Sequence, residues 1–122
     1  MKILLVDDDA FLRDMYATKF SEKGFSIEVA ETADVAITRL RENEYDVVLL
    51  DMIMPGMTGV EALDIIKKEK LGGDPICIVL SNQSEEQDKS SALAAGAKGY
   101  IVKAELIPSE VVEAVVKIVT EK

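Results

Sequence analysis

Short, largely apolar runs alternate five times along this chain with longer stretches of helical periodicity. The runs are Lys2–Val6, Phe25–Ala30, Asp46–Asp51, Ile76–Leu80 and Gly99–Val102. Leu4-Leu5-Val6 and Val47-Val48-Leu49-Leu50 are apolar at every position rather than at alternate ones. Such a strand must be covered on both faces, which is the condition of a parallel sheet between two layers of helix. The intervening stretches supply the cover. Leu12, Met15, Tyr16, Lys19 and Phe20 recur at three- and four-residue spacing, as do Val60, Leu63 and Ile66, and Val111, Val112, Val115, Ile118 and Val119. A fourth apolar set is Val35, Ala36, Ile37 and Leu40. Strands alternating with helices predict an α/β fold with right-handed crossovers and helices on both faces.

Turn and cap residues punctuate this pattern where they should. Asp9 and Thr32 stand where N-caps belong, Thr58 with Glu61 and Ser84 with Gln87 fit capping boxes, and Pro108 suits a first helical turn. Gly24 and Gly96 close helices, and Leu71-Gly72-Gly73-Asp74-Pro75 breaks one. With 122 residues the chain has one domain's worth of length and enough core to fold without disulfides. The last helix runs to the end of the sequence, so the expectation is a single domain over 1–122 with no output domain.

Several chemistries drop out on composition. The chain contains no His, which removes Ser-His-Asp triads, His-ligated zinc and a His general base. Its one cysteine, Cys77, lies inside an apolar run and reads as a buried, inert thiol. A net charge of −9 argues against nucleic acid or an anionic membrane as partner, because phosphates need Lys and Arg to neutralise them. No apolar run is long enough to span a bilayer, and the first one meets Asp7, Asp8 and Asp9 at once, unlike a secretory signal. A cytoplasmic protein is expected.

In an open parallel sheet, ligands bind beyond the carboxyl ends of the strands. The polar residues at those ends are Asp7 and Asp8, Asp51, Ser81 and Lys103. Singly, each has an ordinary explanation as a turn acid, a turn hydroxyl or a solvated strand end, and Asp9 is most simply a helix cap. Jointly they place three carboxylates, a hydroxyl and an ammonium at one rim. Carboxylates on neighbouring strands, whose backbones lie about 4.8 Å apart, repel one another unless a cation sits among them. An all-oxygen set suits Mg²⁺, and a carboxylate beside Mg²⁺ and a lysine can serve as nucleophile to a phosphoryl group.

Five segments carry a resemblance that covers the whole chain: Val6-Asp7-Asp8-Asp9, Asp51 to Gly59 with its Met54-Pro55-Gly56, Leu80-Ser81, Ala95-Gly96-Ala97, and Gly99-Tyr100-Ile101-Val102-Lys103. In this order they resemble the receiver domains of two-component response regulators. The resemblance implies a flavodoxin-like sheet of strand order 2-1-3-4-5, the order of a chemotaxis member of this family that is itself a standard example of the fold. It implies that Asp51 accepts a phosphoryl group from a histidine kinase or histidine phosphotransfer protein. It implies a Mg²⁺ site of Asp8, Asp51 and the backbone carbonyl of Ile53, with Asp7 acting mainly through metal-bound water. Ser81 would bond a phosphoryl oxygen and Lys103 would bridge acceptor and phosphoryl group. Tyr100 would be an aromatic switch coupled to Ser81, altering the face of the fourth helix, fifth strand and fifth helix for a downstream protein. The family's members are signalling switches rather than enzymes acting on a separate substrate, and they are monomers or phosphorylation-dependent dimers.

Two positions depart from the family pattern. Ala104 stands where a cis proline usually follows the lysine, and because a cis non-proline bond costs roughly 3–4 kcal/mol the Lys103–Ala104 peptide is expected to be trans. Ile53 and Gln83 occupy the positions that tune hydrolysis, and Ile53 offers no hydrogen bond to an attacking water, so dephosphorylation is expected to be slow. Two other functions fit parts of the sequence: an aspartyl-nucleophile phosphohydrolase, from the Asp7-x-Asp9 spacing, and an interaction module that works without phosphorylation.

Overall fold

A computed structural model describes residues 1–121. Its strands are β1 (Lys2–Val6), β2 (Ser26–Ala30), β3 (Val47–Leu50), β4 (Ile76–Ser81) and β5 (Gly99–Val102). Its helices are α1 (Ala10–Glu22), α2 (Ala33–Glu42), α3 (Gly59–Lys68), α4 (Glu86–Ala94) and α5 (Pro108–Thr120). All strand pairs are parallel, and the sheet order is β2-β1-β3-β4-β5.

Side chains alternate across the sheet and divide the core in two. Leu4, Val6, Val48, Leu50, Cys77 and Val79 pack with residues of α2, α3 and α4 on one face. Ile3, Leu5, Val47, Leu49, Ile78 and Leu80 pack with Tyr16 and Phe20 of α1 and Val111, Val112 and Val115 of α5 on the other. The central strands are therefore buried at nearly every position, as their uninterrupted apolar runs require. Cys77 is buried, and burial pushes its thiol up to about 11, in keeping with an inert core residue.

Most caps form as expected. The Asp9 carboxylate accepts the Leu12 N–H (3.1 Å), and Thr32 accepts that of Val35 (3.2 Å). Thr58 and Glu61 exchange both bonds of a capping box. Pro108 opens α5, and Gly24 follows α1 at φ +92°, a conformation a side chain would strain. Two expectations fail. Ser84 and Gln87 make no capping box; α4 starts at Glu86, and Glu85 precedes it without a side-chain cap bond. Phe25 lies outside β2 and instead meets Phe20 edge-on, with ring centroids 5.8 Å apart.

The register positions the rim. Val6 pairs with Leu50, Leu50 with Val79, and Ser81 with Val102. Asp7, Asp51 and Lys103 each follow the last residue of their strand, and Ser81 ends its own, so all four leave the sheet on one side.

Candidate functional site

Asp7, Ser81 and Lys103 are the buried polar residues of the described chain, at 1%, 0% and 7% exposure. Burying a charge is costly unless it is paired, and the pairing here is complete. The Lys103 ammonium donates to Asp7 Oδ2 (2.7 Å) and to Asp51 Oδ2 (3.0 Å). Burial pulls the Lys103 pKa down, but the Asp7 and Asp51 contacts outweigh it and the net direction is up. Lys103 sits in a single 3₁₀ turn, Lys103–Glu105, and every peptide bond among the described residues is trans, Lys103–Ala104 included. The missing proline thus does not keep the lysine from reaching the rim.

The loop after β1 is wound around Asp7. The Asp9 N–H donates to Asp7 Oδ1 (2.9 Å), so both carboxylate oxygens of Asp7 are engaged by the protein. Asp8, the next residue, is exposed. Asp51 is half-buried, and its Oδ1 accepts the Ile53 N–H (3.3 Å). The Ile53 side chain stands in solvent, 60% exposed. Gly59 holds the following loop against this strand end. Its N–H bonds the Met52 carbonyl (2.8 Å), and a Cβ there would lie 2.5 Å from the Asp51 carbonyl oxygen.

Carboxylate oxygens of Asp7, Asp8 and Asp51 lie within 4.8 Å of one another. Two unit charges about 4 Å apart near a protein surface interact by about 4 kcal/mol, so three carboxylates repel strongly. One ammonium leaves the set at a net charge of −2, which a divalent cation would neutralise. All donors are hard oxygens, and Asp8 and Asp51 are the members with access to solvent. The residues therefore fit a Mg²⁺-type ion bound through one or two carboxylates and several waters.

Ser81 and Tyr100 form a second, linked group. The Ser81 hydroxyl accepts the Gln83 N–H (3.2 Å), and the Tyr100 hydroxyl donates to the Gln83 carbonyl (2.7 Å). Burial raises the Tyr100 pKa; Ser81 works against that, while Asp88 and Asp51 add to it. One peptide-linked residue thus ties the hydroxyl at the rim to the phenol on β5. Arg13 and Tyr16 of α1 went unmarked as site residues in the sequence. Arg13 Nη1 donates to the Asp7 carbonyl (3.1 Å), and Tyr16, 2% exposed, lies near enough to Lys103 and Asp7 to feel their charges. For Arg13 the available signal was its place four residues after a capping aspartate, one turn behind the acids.

Comparison with known proteins agrees with this arrangement. The family described as "Response regulator receiver domain" matches residues 3–116. The phosphate regulon transcriptional regulatory protein PhoB of Escherichia coli (strain K12) is 34% identical over 102 residues, covering 84% of this chain and 44% of that protein. The transcriptional regulatory protein ResD of Bacillus subtilis is 39% identical over 111 residues, covering 91% and 45%. The chain thus spans less than half the length of these curated relatives. Among solved structures, the Francisella response regulator 1452 receiver domain superposes with a TM-score of 0.86 at 29% identity, covering 97% of this chain and 95% of that one. A CheY-like receiver domain protein from Methanospirillum hungatei JF-1 gives 0.87 at 25% identity, covering 97% and 92%. Sequence, strand order and rim chemistry converge on one assignment, and the chain belongs to the receiver domains of two-component response regulators.

Proposed function

We propose that Asp51 is the phosphoacceptor, and that a histidine kinase or histidine phosphotransfer protein is the donor. The observation that carries this reading is the Lys103 ammonium held between Asp7 and Asp51 beside an exposed Asp8. An Asp51 carboxylate oxygen attacks phosphorus; the P–O bond forms as the donor's P–N bond breaks, and the departing imidazole is left neutral or takes a proton from solvent. Lys103 then meets charge on the transferred group, and Ser81 bonds one of its oxygens, an electrostatic and positioning role that suits phosphoryl transfer. Asp8, Asp51 and the Ile53 carbonyl would hold Mg²⁺, with Asp7 contributing through bound water; when bound, the ion neutralises charge shared by acceptor and phosphoryl oxygens. The Ser81–Gln83–Tyr100 connection would carry the change to the face formed by α4, β5 and α5, where a downstream protein binds.

On this reading, residues 1–122 act as one receiver unit in the cytoplasm, as a monomer or a phosphorylation-dependent dimer. The unit catalyses its own phosphorylation and a slow dephosphorylation and turns over no other substrate. No helix among the described residues is long and apolar enough to cross a membrane. The phosphohydrolase alternative finds no support, because its nucleophile would be Asp7, which at 1% exposure is closed to an incoming phosphate ester, whereas the Asp51 side chain is 13% exposed, and its acid Asp9 is engaged as the α1 cap. The test is incubation with Mg²⁺ and acetyl phosphate, followed by intact mass. One base-labile phosphoryl adduct on the wild type and none on Asp51→Asn is expected; equal adduct on both would refute the assignment.

A further inference from the structure

Arg13 is the cation whose position the phosphorylation chemistry leaves unexplained. It sits one turn into α1, with its N–H bonded to the Asp9 carbonyl (2.9 Å), and its guanidinium turns back to donate to the Asp7 carbonyl (3.1 Å). Its Nε is buried and meets no acceptor among the described residues. A buried, unsatisfied donor is costly, so an extended arginine on the surface of α1 would not settle there without compensation. The contact it makes is on the peptide that joins Asp7 to Asp8.

That peptide is the only backbone unit between the buried acid that anchors Lys103 and the exposed acid open to a cation. Asp7 is already fixed at its side chain by Lys103 and the Asp9 N–H. The Arg13 bond to the carbonyl restrains rotation of the peptide plane, which sets the direction from which the Asp8 side chain leaves the turn. We propose that Arg13 is a positioning residue of the cation site, bracing the Asp7–Asp8 peptide so that the Asp8 carboxylate faces Asp51. This rests on the reading of Asp8 and Asp51 as Mg²⁺ ligands.

The proposal has an opposite in sign. A guanidinium near a cation site repels a dication, so if Arg13 acted through charge alone, removing it would tighten Mg²⁺ binding. If Arg13 braces the peptide, removing it loosens the Asp8 ligand, and groups that orient metal ligands typically contribute about 10- to 100-fold in affinity.

The experiment is titration of metal-free protein with Mg²⁺, without any phosphodonor, followed by calorimetry or by amide shifts in the loops after β1 and β3. Arg13→Met keeps the apolar stem and removes both charge and donor. It is expected to weaken Mg²⁺ by about tenfold while the Asp51→Asn control weakens it further. Should Arg13→Met fail to fold at the titration temperature, Arg13→Lys, which keeps the charge and loses the forked donor, carries the same test with a smaller expected loss. Unchanged or tighter binding in the folded variant overturns the bracing role and leaves the site's assignment intact. A wild-type chain that takes up no Mg²⁺ overturns the assignment of the site, and the bracing role with it.

Discussion

Lys103 and Asp7 make the most demanding contact in the molecule, and a double-mutant cycle measures it. Both side chains are nearly inaccessible, at 5% and 2% exposure, and the ammonium lies 2.7 Å from the carboxylate. Lys103→Met leaves Asp7 buried with the Asp9 N–H as the one remaining donor to its side chain among the described residues. Removing one partner of a buried pair costs about 3–5 kcal/mol. The lost contact to Asp51 adds little, since Asp51 is reached by solvent. Asp7→Asn leaves the ammonium paired with Asp51 and relieves part of the repulsion among the acids, so it is expected to cost less, about 1 kcal/mol. The double variant removes both charges from the interior, so it is expected to be no less stable than Lys103→Met, with a coupling of at least ~1 kcal/mol. The assay is urea unfolding at neutral pH in chelator, comparing variants of equal denaturant slope. Single costs that add to within ~0.5 kcal/mol would refute the argument, because contacting residues do not behave independently.

Other outcomes follow from particular contacts. Ile53→Asn places a hydrogen-bonding group on an exposed side chain two residues from Asp51; it is expected to shorten the lifetime of the phosphorylated form about tenfold, the equivalent of ~1.4 kcal/mol at the barrier, as read by decay of the adduct in intact mass. Gly59→Ala forces a Cβ against the Asp51 carbonyl oxygen, so it is expected to cost about 2 kcal/mol in urea unfolding and to slow adduct formation; wild-type behaviour in both would show the loop adapting freely. Tyr45→Phe removes the bond from the Tyr45 hydroxyl to Glu28 (2.6 Å), worth about 1 kcal/mol at neutral pH, at the low end because Glu28 is partly exposed. The Tyr45 bond is the main cause that lowers the Glu28 pKa, so this stabilisation is present above the ordinary Glu range and is lost as pH falls through the lowered value. Wild type and Tyr45→Phe should therefore converge in thermal stability in acid; a gap that persists there would assign the loss to packing.

Elements governed by local pattern were legible in the sequence, and those governed by distant contacts were not. Strands β1, β3 and β4 announce themselves because burial on both faces leaves no room for polar positions. The Thr58–Glu61 box was readable because both partners lie within one turn. Ser84 and Gln87 have the same spacing, yet the chain enters α4 at Glu86, where spacing alone does not set the backbone. Phe25 looks like a strand residue by propensity and is claimed instead by the Phe20 ring. At the rim, the acids could be found from strand ends, but the engagement of both Asp7 oxygens could not. One of its partners, Lys103, lies 96 residues away, and only the sheet register brings them together.

Strand β3 is sheltered along its whole length and bonded to a neighbour on each side. Opening its amides to solvent therefore requires the sheet itself to come apart, whereas the segment from Met52 to Thr58 lies in the loop just beyond it. Protection against hydrogen exchange should fall by orders of magnitude on passing from β3 through Asp51 into the loop. Asp51 is thus bolted to a rigid member of the frame; under the proposed assignment, a phosphoryl group arriving there would find no give beneath it, and any movement would be left to the surrounding loops.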